Sequence, residues 1–216
     1  MKKLEMKPHN TDGLLITFCG LDGCGKTSMI NMVSEYLHSL GEDVTLTKQP
    51  TNTVRKSEIF RNFMDEEKHD KFAYRALSLF AAADRIQHSN KMILPELKNN
   101  KIVISDRYFY SCLANLRARG YGKDQWIYEI ARDIPKPDIA FFLDVPVELA
   151  VARVIQRPEE KNRYIDMDLQ YKLREEYINI CAENGGILIP SIDEPSVTFD
   201  RIWNCVYDKL GERYED

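Results

Sequence analysis

Apolar and polar positions fall into blocks along the chain, and the period changes from one block to the next. The run "GLLITFCG" is apolar almost without interruption, as a strand covered on both faces is. From Lys26 to Leu40 the apolar residues Met29, Ile30, Val33, Leu37 and Leu40 recur at helical spacing, and Gly41 supplies a C-terminal stop. "DVTLTKQP" resumes as a strand. A helical stretch rich in Ala and Leu, "FAYRALSLFAAADRIQHSNKMILPELK", leads to the buried strand "KIVISD". A helical region over 109–132 leads through "IPKPD" to the next strand, "IAFFLDV". Pro146 is placed for the first turn of a helix that runs to about Arg157, the polar stretch "RPEEKNRY" interrupts, and a helix over 167–184 follows. "GGILIPS" is a last short strand, and a final helix follows Pro195.

Strands alternating with helices predict a parallel sheet of five strands between helix layers, an α/β three-layer sandwich. Residues 1–12 read as a loose polar lead-in, and without an internal repeat or linker the pattern predicts one domain over 1–216.

Composition narrows the partners. With 44% hydrophobic and 30% charged residues the 216-residue chain suits a globular domain, and a net charge of -4 offers no electrostatic footprint for polymeric nucleic acid. Phosphate binding must then come from a local site. No apolar run is long enough for a membrane span, and "MKKLEMKPHNTDG" lacks the apolar core of a signal peptide, so a cytoplasmic protein is expected. The five cysteines (Cys19, Cys24, Cys112, Cys181, Cys205) form no CxxC pair, and His9, His38, His69 and His88 lack ligand spacing. Neither a disulfide framework nor a zinc site is indicated.

The candidate chemistry begins at "GLDGCGKTS", 20–28. Gly20, Gly25, Lys26 and Thr27 satisfy GxxxxGK[ST], with Gly23 inside the loop and Ser28 just after it, between a predicted strand and a predicted helix. Glycines let successive backbone N–H groups turn toward a phosphate, and the helix N-terminus adds partial positive charge. Lys26 would reach the outer phosphates and Thr27 would offer its hydroxyl to Mg2+. This P-loop NTPase signature leaves GTPases, ATPases, small-molecule kinases and nucleotide-sensing modules open.

Two further signals choose among these. "VISDRY" sets Asp106 and Arg107 at the C-terminal end of a buried strand, where open α/β sheets place ligands. Asp106 could help hold Mg2+ or orient the attacking oxygen, and Arg107 could clamp an acceptor phosphate through two hydrogen bonds. Arg153, Arg157, Lys161 and Arg163 mark a basic segment suited to neutralising charge over donor phosphates, with 156–166 as a lid. No guanine-reading NKxD pattern is found, which disfavours a GTPase.

Taken together, "FCGLDGCGKTS", "TKQP", "SLFAAADRIQH", "VISDRYFYSCLA", "PDIAFFLDVPVELAVAR" and "RPEEKNRY" resemble the ordered motifs of the bacterial-type thymidylate kinase family from Leu14 onward. The resemblance implies ATP- and Mg2+-dependent phosphorylation of dTMP to dTDP, small-molecule nucleotide substrates, and a homodimer formed through helices that include the Ala-rich one. It assigns Lys26 and Thr27 to the ATP phosphates and Mg2+, Asp22 to the phosphoryl groups, Asp106 and Arg107 to metal and acceptor phosphate, and Arg61 to the acceptor phosphate. Arg153, Arg157 and Arg163 would form the lid. Gly23 and Cys24 cannot supply a transition-state arginine, so the chain resembles the lid-arginine type.

The departures from the family lie on the acceptor side. The family sets a base-stacking aromatic four residues before a base-binding arginine, but the residue four before Arg85 is Ala81, and Phe80 stands five before it. Five residues turn a regular helix by roughly 500°, about 140° off the arginine's face. Either a π-bulge restores the pairing, or Phe80 is core and the base pocket is altered. Asn115 and Leu116 replace the family's Tyr and Gln, and Lys48-Gln49 replaces Arg-Glu. A P-loop kinase of another nucleotide, nucleoside or small acceptor is the alternative.

Overall fold

The apolar run behind the glycine loop becomes β1 (Leu14–Cys19), buried along its whole length. It has that burial because it is the middle strand of five. In the computed structural model, which describes residues 2–160 and 164–215, the sheet order is β2-β3-β1-β4-β5 and every pairing is parallel. After β1 come α1 (Lys26–Ser39), β2 (Val44–Lys48), α2 (Asn52–Arg55), α3 (Glu58–Asp65) and α4 (Tyr74–His88). A π-helical turn (Ser89–Ile93), α5 (Leu94–Lys98), β3 (Ile102–Asp106), α6 (Phe109–Ala118) and α7 (Trp126–Ala131) follow. β4 (Ile139–Asp144), α8 (Val147–Ile155), a 3-10 turn (Pro158–Glu160), α9 (Met167–Asn184), β5 (Ile187–Pro190) and α10 (Pro195–Glu215) complete the order. This is the expected α/β sandwich.

Packing explains why these segments form these elements. Met29, Ile30, Val33 and Leu37 of α1 are buried on one face, against a core built on Leu15, Ile16 and Phe18 of β1. Each such side chain contributes about 1.5–3 kcal/mol on leaving water. Phe18, next to last in β1, pairs in register with Asp106 at the end of β3, which pairs with Lys48 at the end of β2, so the C-terminal ends of three strands are brought level. Ligands of doubly wound sheets bind beyond this edge.

Three features differ from the pattern read along the sequence. Residues 2–12 are not a loose lead-in: Leu4 and Met6 are buried, and Lys7 donates its N–H to the Ile134 carbonyl at 2.9 Å. Lys7 also accepts from Lys136 N at 2.7 Å, and His9 lies 2.9 Å from Asp138, whose carboxylate caps the Leu15 amide. The helical region at 109–132 is two helices, α6 and α7. Finally, α2 and α3 arise in a segment given no element from sequence. Each begins on a side-chain cap, Thr51 accepting from Thr53 N at 3.2 Å and Ser57 accepting from Phe60 N at 3.3 Å.

Candidate active site

The loop after β1 is held in a shape that only glycine suits. Gly23 has φ +84°, and a Cβ there would lie 2.1 Å from the Ala150 carbonyl oxygen. Gly25 caps α1 in the left-handed conformation and offers no side-chain acceptor, and the first turn of α1 carries no acidic residue. The turn's amides and the helix dipole are thus available to an anion at the loop. Lys26 is buried inside the loop, its Nζ donating to the carbonyls of Leu21 at 2.6 Å and Gly20 at 3.2 Å. Thr27 and Ser28 are exposed at the head of α1. Arg153 on α8 reaches the rear of the loop, 3.4 Å from the Gly23 carbonyl.

Facing the loop are two carboxylate-cation pairs at the ends of neighbouring strands. Arg107 donates from Nη2 to Asp22 Oδ1 at 2.6 Å, and from Nη1 to Tyr177 Oη at 2.9 Å and the Gly20 carbonyl at 3.2 Å. Its φ of +69° is the left-handed region, uncommon for a non-glycine residue, and the turn is secured by Ser105 Oγ donating to the Arg107 carbonyl at 2.7 Å. Burial disfavours the charge on Arg107, yet Asp22 and Tyr177 outweigh it and hold the guanidinium well above its ordinary pKa. Asp106 Oδ2 accepts from Lys48 Nζ at 2.7 Å, while its Oδ1 is buried with no hydrogen-bond partner among the described residues. Burial pushes the Asp106 carboxyl up, but Arg107, Lys26 and Lys48 together bring it below the usual carboxylate range.

Beyond these pairs a cavity of about 410 Å³ runs between α3, α4, α6 and α9. Asp22, Lys48, Arg61 and Arg107 are among the residues that line it. Leu77, Ser78, Ala81 and Arg85 line it from α4, one helical face, and Ser111, Cys112 and Asn115 line it from α6. Arg85 is 3% exposed, donates from Nη1 to the Ala81 carbonyl at 2.9 Å, and has a buried Nε with no partner among the described residues. A buried, half-satisfied guanidinium on a cavity wall is an unfilled donor site.

Phe80 does not belong to this set. α4 is regular α-helix from Tyr74 to His88, and the π-helical turn begins only at Ser89, after Arg85. No bulge therefore swings Phe80 onto the face of Arg85; it is 37% exposed and is neither cavity wall nor core. The bulge and the core placement of Phe80 are both corrected, and Ala81 takes the wall position.

The basic segment is placed in part. Arg157 is exposed and lines the cavity, together with Tyr164. Arg163 lies outside the described residues. Arg61, on α3, lines the cavity and pairs with Asp65 on its own helix at 2.6 Å.

Several residues of the site carry no sequence signal. Tyr177 sits on α9 at a helical apolar position and reads as core, yet its hydroxyl orients Arg107. Phe60, Phe63 and Tyr74 supply the aromatic wall from the short α3 and the start of α4. Tyr74 is partly buried, and the loss of solvent pushes its hydroxyl up to about 12, while Arg119 lies 4.2 Å over its ring. Asp84 fixes the loop after β2, accepting from Thr51 N at 2.8 Å and Thr51 Oγ1 at 2.5 Å.

Comparison with known proteins agrees with this geometry. The family model for thymidylate kinase matches residues 18–198. A probable thymidylate kinase of Thermococcus kodakarensis is 37% identical over 205 residues, covering 92% of this chain and 100% of the relative. A probable thymidylate kinase of Pyrococcus horikoshii is 38% identical, covering 78% of this chain and 83% of the relative. A thymidylate kinase of a Sulfurihydrogenibium species is 32% identical, with 93% and 98% covered. The loop, the strand-end pairs and the cavity thus sit in a chain that belongs to the thymidylate kinase family.

Proposed function

We propose that this protein transfers the γ-phosphoryl group of ATP to dTMP, giving ADP and dTDP, in one domain that holds both substrates. One observation carries this reading. The loop that holds Lys26 lends Leu21 and Asp22 to the wall of a cavity that Arg107 also lines, in a chain of the thymidylate kinase family. In the reaction a dTMP phosphate oxygen attacks the γ-phosphorus, a new P–O bond forms, and the bond to the β–γ bridging oxygen breaks with its electron pair leaving on ADP.

The residues divide the work by position. The amides of Gly20, Gly23 and Gly25 and the head of α1 cradle the donor phosphates, with Thr27 and Ser28 beside them. Lys26 exchanges its bonds to the loop carbonyls for bonds to the outer phosphates. Arg107 binds the acceptor phosphate, held in place by Asp22 and Tyr177. Arg61 reaches the same phosphate, and Arg85 spends its unfilled donors on the base. Arg153, Arg157 and Arg163 cover the donor, one of them neutralising charge in the transition state. The donor set fits a hard cation: Asp106 has a buried oxygen without a partner among the described residues, and Thr27 is exposed at the head of α1. Asp106 and Thr27 would hold Mg2+, which when bound supplies charge neutralisation across the phosphoryl oxygens.

We place a second copy of the chain against α4, which leaves Leu79 45% and Phe80 37% exposed on its outer face. No described helix is long and apolar enough to cross a membrane. An ATP-consuming step of this kind is assigned to the cytoplasm.

A substrate panel tests the proposal. With ATP and Mg2+ present, dTMP is expected to give the highest kcat/KM among dTMP, dUMP, dCMP, dGMP and thymidine. ADP release with none of them would remove the kinase reading, and preference for another acceptor would remove the thymidylate one.

A further inference from the structure

Lys48 stands where the cavity, the sheet edge and the P-loop carboxylate meet. It is the last residue of β2 and the register partner of Asp106 on β3. The backbone on its C-terminal side is fixed. Gln49 N donates to the Asp106 carbonyl at 3.0 Å, and the buried Gln49 side chain lies 3.1 Å from His88 Nδ1. Only the four-carbon stem of Lys48 is free to pivot, and its side chain is 46% exposed. Its Nζ rests on Asp106 Oδ2 at 2.7 Å, yet Lys48 lines the cavity and Asp106 does not. The ammonium is therefore the group that an arriving ligand meets at this level, with the carboxylate behind it.

On the same wall Arg107 rests on Asp22 in the same manner, at 2.6 Å. Two cations, each parked on its own carboxylate, line the cavity. A dianion entering there can draw Lys48 toward itself while Arg107 stays on Asp22, and Asp106 is not left far from positive charge, because Lys26 also acts on it. Lysine suits the task as a compact point charge with rotatable donors, beside an arginine that fixes direction.

Building on the kinase reading above, we infer that Lys48 is a further ligand of the acceptor phosphate, swinging from Asp106 onto a non-reacting phosphate oxygen of the incoming monophosphate. The swing would uncover Asp106 Oδ2 as the substrate binds.

Calorimetric titration of the full chain tests this, with dTMP and with thymidine, which lacks the phosphate. Lys48→Met is expected to weaken dTMP about 10- to 100-fold, the range for losing a charge-assisted hydrogen bond, and to leave thymidine unchanged. Lys48→Arg is expected to restore most of the dTMP affinity, and the thermal midpoint of each variant checks that it is folded. Equal dTMP affinity in Lys48→Met and the unaltered protein would overturn the inference alone. A parallel loss for thymidine would overturn it too, as the residue would then act through the fold of the pocket. Absence of dTMP binding to the unaltered protein would overturn the thymidylate reading and this inference together.

Discussion

Arg107 and Asp22 meet across the mouth of the glycine loop, Nη2 to Oδ1 at 2.6 Å, so a strand end and a loop set by a different strand are locked by one ion pair. Arg107 is partly buried and bonded to Asp22, Tyr177 and the Gly20 carbonyl, which makes it a preorganised cation with no reorganisation needed when a phosphate arrives. Arg107→Met should lower kcat/KM for dTMP by about 100- to 1,000-fold. Initial-rate kinetics check this, and the loss should fall more on the acceptor than on the KM for ATP.

The sheet was legible in the sequence because β1, β3, β4 and β5 are short apolar runs and β2 alternates apolar and polar residues, and the glycine loop because its spacing admits few other uses. What lay hidden was hidden for physical reasons. Tyr177 and Tyr74 are apolar at helical spacing, so nothing separates a tyrosine that orients an arginine from one that only packs. α3 spans eight residues, too few for a helical period to stand out. Phe80 was misjudged because one residue of offset turns a helix face, and only a continuous α4 decides which side it faces. Leu4 and Met6 are two apolar residues in a polar stretch, a signal too sparse to predict docking.

That docking gives a stability prediction. Deleting residues 2–8 exposes the surface under Leu4 and Met6 and removes both bonds of Lys7. At about 1.5–3 kcal/mol for each apolar side chain, the loss should be about 3–6 kcal/mol as an upper bound. Urea unfolding measures it; a change below 1 kcal/mol would mean that the segment is as loose as its composition suggests.

Arg85 and Phe80 should separate cleanly. Phe80→Ala is expected to leave the dTMP KM within about twofold, because the ring lies outside the cavity. Arg85→Met is expected to raise that KM by about tenfold or more while costing little stability, since the guanidinium makes one hydrogen bond and leaves Nε buried and unfilled. Paired kinetics and thermal midpoints check both.

His88 gives a pH signature. Burial lowers its pKa below the ordinary 6.5, with Arg85 adding to the effect and Asp84 opposing it. The unfolded chain therefore takes up a proton at a higher pH than the folded one. The contribution to stability is complete above about pH 6.5 and is lost as the pH falls from there through the folded value. The thermal midpoint of the unaltered protein should drop between pH 7.5 and roughly pH 5.5 by more than that of His88→Gln. Equal drops would mean that carboxylates alone set the acid limb.

Label transfer from γ-labelled ATP to dTMP, with Mg2+ present, tests the central claim most directly. The unaltered protein should convert dTMP to labelled dTDP with stoichiometric ADP, and Lys26→Ala should abolish the transfer while remaining folded. Undiminished transfer by Lys26→Ala, or none by the unaltered protein, would contradict the assignment of the Lys26 loop and its facing cavity as the site of phosphoryl transfer.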